Sequence, residues 1–224
     1  MASVLNDDAL ERLLARLQAQ SQAQESETQA YFSRRGQARE LSWEGLDADA
    51  HRFMADKLVA LAPAKAEYCY LLCRALGAKR IVEVGTSHGI STLYLAAAVR
   101  DGGGGVVIGT EYEPAKAAAA RANFAAAGLS RFIDLREGDL RETLRSLEGP
   151  IDFVLMDIWT EMARPAIELI APHLRPGAIV CADNTAGFRA PYRAYFEFVD
   201  DPANGLRTLT LPFDGGLEMT VKCG

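Results

Sequence analysis

Apolar and polar positions follow two different rhythms along this chain. In the first third the apolar positions recur at helical spacing. Leu10, Leu13, Leu14 and Leu17 form one stripe of an amphipathic helix. Gln18 to Gln29 lacks such a stripe and reads as a solvated continuation or a partner-facing surface, with a break at Arg34-Arg35-Gly36. Phe53, Met54, Leu58 and Leu61 predict a second helical face ended by Pro63. Tyr68, Leu71, Leu72 and Ala75 predict a third, closed by Gly77. From Lys79 onward short continuous apolar runs alternate with helical stretches. The runs are 81–84, 106–108, 132–135, 151–156 and 178–181. Their continuity suits strands buried on both faces of a parallel sheet. Between them, Pro114 and Pro165 mark helix starts, Gly128 a helix end, and Asp139 with Glu142 a capping box. Leu206–Leu211 and Leu217–Val221 flank Pro212-Phe213-Asp214-Gly215-Gly216 and predict an antiparallel edge hairpin. The expected fold is therefore α/β: a doubly wound, seven-stranded, mostly parallel sheet with a C-terminal hairpin.

Composition narrows the classes. The 224 residues carry a net charge of −6, a poor counterion for phosphate backbones, so no nucleic-acid partner is expected. No apolar run approaches about 18 residues, so no membrane span is expected. The first residues show neither a secretory leader nor a myristoylation site, and a cytoplasmic location is expected. Four cysteines are too few for a disulfide scaffold and read as buried thiols.

The chemistry concentrates at strand ends. Glu83-Val84-Gly85-Thr86-Ser87-His88-Gly89-Ile90-Ser91 follows the first strand, where doubly wound sheets bind ligands. Its spacing is Gly-x-x-x-Gly, and Ser87 stands where a dinucleotide loop has its middle glycine. That argues against a nicotinamide or flavin dinucleotide and for a nucleoside cofactor without a pyrophosphate. Glu111, ending the second strand, is placed to accept hydrogen bonds from both ribose hydroxyls. S-adenosylmethionine fits, because its sulfonium is cationic and Glu83 and Asp157 are acidic. A carboxylate at ~4 Å would contribute about 1 kcal/mol in water and about 4 kcal/mol at an effective dielectric of 20.

These residues resemble class I S-adenosylmethionine-dependent methyltransferases, and within them the catechol and caffeoyl-CoA O-methyltransferase group. The resemblance runs from about Ala62 to Gly224. Glu83-x-Gly85-x-x-x-Gly89-x-Ser91, Glu111, Asp157, Ala182-Asp183-Asn184 and Gly216-Leu217-Glu218 carry it. It implies a Rossmann-like methyltransferase domain over 63–224, with an N-terminal helical extension over 1–62 that caps the site or forms a homodimer interface. It implies that Gly85, Gly89 and Ser91 hold the methionine part of the cofactor, with Thr86 and Ser87 in the same cofactor-binding loop, that Glu111 binds the ribose, and that Gly138-Asp139 lie near the adenine.

Asp157, Asp183 and Asn184 end neighbouring strands and together suit a hard divalent cation such as Mg²⁺, which these positions bind in the resembled group. Such an ion would acidify an acceptor hydroxyl. The group also carries a lysine base shortly after the first of these aspartates, where this chain has Thr160. Three readings follow: the metal suffices, His88 takes the proton, or the acceptor is not a catechol. Phe188, Tyr192, Tyr195 and Phe196, with Trp159 from the neighbouring loop, read either as helix core or as aromatic surface for a small, aromatic or hydroxylated acceptor. The expected reaction is O-methylation. N- or C-methylation, or cofactor binding without turnover, are the alternatives.

Overall fold

The computed structural model describes residues 4–34 and 48–224. The elements in chain order are α1 (Asp8–Arg34), α2 (Ala48–Met54), α3 (Pro63–Leu76), β1 (Arg80–Val84), α4 (Ile90–Asp101), β2 (Val106–Glu111), α5 (Pro114–Ala126), β3 (Ile133–Glu137), α6 (Leu140–Thr143), β4 (Ile151–Met156), α7 (Thr160–Ile170), β5 (Leu174–Asp183), α8 (Arg193–Val199), β6 (Leu206–Leu211) and β7 (Leu217–Lys222). The seven strands lie in the order β3-β2-β1-β4-β5-β7-β6. β1 to β5 pair in parallel, and β7 runs antiparallel to both β5 and β6. The order reverses between β1 and β4, which creates a crevice beyond their carboxyl ends.

Both sheet faces are covered, which explains the continuous apolar runs. Alternate residues of β1 enter different cores. Ile81 packs with α1, α3, α4 and α5, whereas Val82 and Val84 pack with α6, α7 and α8. Helix α4 is buried from Ile90 to Val99. It is covered on its outer side by α1, whose Leu10, Leu13, Leu14 and Leu17 belong to the same core as the sheet. No helix among the described residues is long and apolar enough to cross a membrane.

The segment before α3 departs from the sequence reading. Helix α2 ends at Met54, and Leu58 and Leu61 lie buried in a non-helical stretch. The cause is non-local. The Leu58 N–H donates to Gln24 Oε1 at 2.8 Å, Ser21 Oγ donates to the Leu58 carbonyl at 2.9 Å, and Gln18 Nε2 donates to the Leu61 carbonyl at 3.1 Å. The polar face of α1 thus replaces the hydrogen bonds a helix would have made. The break expected at Arg34-Arg35-Gly36 coincides with the end of α1, and Arg35 and Gly36 lie outside the described residues.

Other boundaries shift for local reasons. Pro63 opens α3 instead of ending a helix, since its missing N–H costs nothing in the first turn. α3 buries Ala66, Cys69, Tyr70 and Cys73, and leaves Leu71 50% exposed. Gly77 closes it at φ 59° as expected. Pro165 lies inside α7, which already begins at Thr160 because Ala163, Ala166, Ile167 and Ile170 form its buried stripe. Asp139 caps α6 by accepting from the Arg141 N–H at 2.8 Å, while Glu142 pairs with Arg145 instead of completing a capping box. All four cysteines are free.

Candidate active site

Register levels the strand ends. Val84 is opposite Thr110 and Met156, and Met156 is opposite Ala182. The residues that follow therefore share one edge of the sheet. A cavity of about 570 Å³ lies there, within the range of small-molecule sites. Gly85, Ser87, Glu111, Gly138 and Asp139 line one part, and Asp157, Asp183, Asn184, Phe188 and Tyr192 line another. Met54, Ala55, Val59 and Trp159 contribute further wall. Phe32, Ala50 and Met54 form a small core against which Tyr31, Phe53 and Trp159 pack, so the N-terminal helices reach this wall.

The loop after β1 owes its shape to its glycines. Gly85 has φ +93°, and a Cβ there would lie 2.0 Å from the Asp157 carbonyl oxygen. Gly89, at φ +84°, is the N-cap of α4, and a Cβ there would meet Phe124 at 2.3 Å. Ser87 between them also adopts a positive φ of 50°, rare for a residue with a side chain. Its N–H donates to Glu111 Oε2 at 2.7 Å. The other Glu111 oxygen accepts from the Glu113 N–H at 2.8 Å. Glu111 is thereby fixed with its carboxylate toward the cavity, each oxygen keeping a second lone pair. Gly138, at φ +118°, has only Thr143 Cγ2 near a built Cβ, at 3.9 Å. Arg141 holds the Asp139 carboxyl down to about 2 through side-chain and backbone hydrogen bonds.

Several expected site residues are not among those that line the cavity: Glu83, Thr86, His88, Gly89 and Ser91. Glu83 is fully buried and accepts from the hydroxyls of Thr86, at 2.9 Å, and Thr92. Burial pushes its carboxyl up to about 7 against those hydrogen bonds. His88 is half-buried, with Nδ1 3.4 Å from Ser87 Oγ. Burial and the neighbouring Lys116 lower its pKa, which favours the neutral ring.

Asp157, Asp183 and Asn184 do converge on the cavity. Burial, then Asp183 and Glu83, raise the Asp157 pKa well above the carboxylate range. Sequence reasoning missed the cation that serves this cluster. Lys65, from the first turn of α3, places Nζ 2.5 Å from Asp183 Oδ1, with side chains only 4% and 7% exposed. The signal available was a lone lysine in the first turn of an otherwise apolar inward face. Asn184 Nδ2 donates to the second Asp183 oxygen at 3.0 Å. The amide oxygen faces elsewhere, toward Gly215, where a built Cβ would lie 2.5 Å from it. Each Asp183 oxygen thus accepts one hydrogen bond, the Lys65 ammonium occupies the place a cation would take at Oδ1, and the third intended ligand atom is turned away. As placed, these residues do not fit a divalent cation. Among the described residues no three His, Cys, Asp or Glu side chains cluster to hold one. Thr160, where the resembled group has lysine, lines the cavity with a buried Oγ1 that has no hydrogen-bond partner among the described residues.

Residues 82–185 match a family model described as a methyltransferase domain. A catechol O-methyltransferase of Mycobacterium tuberculosis is 33% identical over 127 residues, covering 56% of this chain and 57% of that protein. The match thus spans little more than half the length of that curated relative. Among solved structures, cofactor-bound Rv0187 from MTB superposes with a TM-score of 0.68 at 27% identity, covering 78% of this chain and 87% of that one. An O-methyltransferase from Bacillus cereus, in complex with SAH, superposes at 0.69 with 22% identity, covering 97% and 91%. The fold is shared with these solved structures.

Proposed function

We propose that this chain, which carries a methyltransferase domain across residues 82–185, transfers a methyl group from S-adenosylmethionine to a hydroxyl oxygen of a small aromatic molecule. The observation that carries the reading is the cavity at the reversal of strand order, with Glu111 and the Gly85–Ser87 turn in its wall together with an acidic cluster and aromatic side chains.

The residues fit the cofactor. Glu111 presents a fixed carboxylate to the cavity, suited to two ribose hydroxyls. Gly85 and Gly138 leave backbone bare along the same wall, and Asp139 and Leu140 extend it past Gly138 for a base. When bound, S-adenosylmethionine supplies an electrophilic methyl group already activated by its sulfonium. The protein's own task is therefore to position the acceptor oxygen and take its proton, for which Asp157 is the carboxylate in the cavity wall; the proton then leaves to solvent and the thioether is the leaving group. Glu83 is assigned to holding the loop through Thr86 and Thr92, one layer behind the cavity. Asp157 lines the cavity and is the carboxylate that faces the cofactor's charge. Gly89 and Ser91 are assigned to the entry of α4 that shapes the loop.

Trp159, Phe188 and Tyr192 offer flat apolar surface for an aromatic acceptor. The name of the mycobacterial relative supports the same acceptor class. His88 stands outside the cavity lining, so it receives no proton-transfer role, and a His88→Ala variant is expected to keep the wild-type pH–rate profile. The reading is built without a divalent cation, because the Lys65 ammonium already lies against Asp183 and the Asn184 amide oxygen is turned toward Gly215. The test is methyl-labelled S-adenosylmethionine with a panel of catechols, other phenols, hydroxy acids and amines. Transfer to a phenolic oxygen is expected. Transfer confined to nitrogen, or cofactor binding with no turnover on any acceptor, contradicts the reading.

A further inference from the structure

We infer that the Lys65 ammonium takes the place of a divalent cation at the acidic end of the cavity, so that this chain's chemistry runs without such an ion. The activity consequence rests on the methyl-transfer reading; the ion-binding consequence rests on geometry alone.

Two carboxylates, Asp157 and Asp183, sit side by side at the ends of adjacent strands β4 and β5. Buried like charges of this kind need a positive partner. A metal is one solution, and it would need open oxygen lone pairs converging on one point. Here α3 delivers the partner instead. Pro63 starts the helix against the sheet edge, and Lys65 in its first turn extends a nearly buried side chain to Asp183 Oδ1. The Asn184 amide nitrogen fills Oδ2, and its oxygen turns to Gly215. Asn184 adopts φ 57°, and its N–H donates to the Gly216 carbonyl at 3.1 Å, so the backbone holds this orientation. A divalent ion would have to displace the ammonium or sit beside it, and a 2+ ion beside a buried 1+ group is strongly repelled. A lysine at this place also supplies a cation to a site where Thr160 supplies none.

The test is direct titration of the full-length protein with Mn²⁺ and Mg²⁺ by calorimetry, with methyl transfer measured in excess chelator. Wild type is expected to bind neither ion below millimolar concentration and to lose no activity in chelator. Lys65→Met, which keeps length and removes charge, is expected to bind Mn²⁺ at least tenfold more tightly than wild type. That gain should vanish when Asp183→Asn is added. Lys65→Arg keeps the charge and is expected to behave like wild type. Micromolar Mg²⁺ or Mn²⁺ binding by wild type, chelator-sensitive turnover, or unchanged Mn²⁺ affinity in a folded Lys65→Met overturns the inference. Should Lys65→Met fail to fold, the wild-type and Lys65→Arg titrations decide alone. An absence of methyl transfer under every condition would count against the proposed function, and the ion titrations would still decide this inference.

Discussion

Replacing Glu83 by glutamine should make the protein's stability less sensitive to alkaline pH. Glu83 is fully buried, one of its oxygens accepts from the hydroxyls of Thr86 and Thr92, and Oε1 has no hydrogen-bond partner. Burial raises its pKa from 4.5 to about 7. The folded state therefore holds this proton more tightly than the unfolded chain does. Stability falls as pH rises from the unfolded value of 4.5 to the folded value near 7, and the full penalty applies above it. A displacement of roughly 2.5 pH units, at about 1.4 kcal/mol each, gives about 3 to 4 kcal/mol, most of it acquired between pH 5 and 8.5. Glutamine keeps the size and the acceptor oxygen and has no proton to lose. Any fixed cost of its extra N–H is common to both pH values and cancels in the comparison. Urea unfolding of both proteins without cofactor, at pH 5 and 8.5, isolates the difference. The stability of Glu83→Gln relative to wild type should rise by about 2 to 3 kcal/mol from the lower to the higher pH. A relative stability equal at both pH values would refute the burial argument.

Gly85→Ala should cost several kcal/mol, since it combines a positive φ with a Cβ driven into the Asp157 carbonyl. A melting temperature within a degree or two of wild type would contradict that packing. Gln24→Ala should cost about 1–2 kcal/mol and speed amide exchange at Leu58, whose N–H it leaves without an acceptor. Unchanged exchange there would mean the segment is held by other contacts. Leu14→Ala should cost about 2–5 kcal/mol in denaturant unfolding, because α1 shares the main core. A near-zero cost would mark α1 as a detachable appendage.

The sheet was legible because its signal is local and redundant. Each strand announced itself as an apolar run, and the hairpin by its Pro-Phe-Asp-Gly-Gly turn. The strand-end carboxylates were legible for the same reason, since parallel pairing leaves them little choice of place. What was hidden depended on partners far away in sequence. Leu58 and Leu61 have helical spacing, yet Gln18, Ser21 and Gln24 hold their backbone in another form. The polar stretch of α1 thus covers part of its own chain. Glu83 was expected beside a sulfonium, but strand alternation turns its side chain toward Thr92 of α4. Lys65 carried no motif, and only the packing of α3 against the sheet edge brings it to Asp183. The charge picture changes accordingly. The acidic groups behind the net charge of −6 include a buried cluster that the protein neutralises in part with its own lysine.

The central claim is that the cavity binds S-adenosylmethionine through Glu111. Calorimetric titration of the protein with S-adenosylmethionine, repeated on Glu111→Ala, tests it most directly. The account predicts one site per chain with a dissociation constant below millimolar, weakened about 10- to 100-fold by the substitution, as befits the loss of charge-assisted hydrogen bonds. No binding below millimolar concentration, or equal binding by Glu111→Ala, would contradict it.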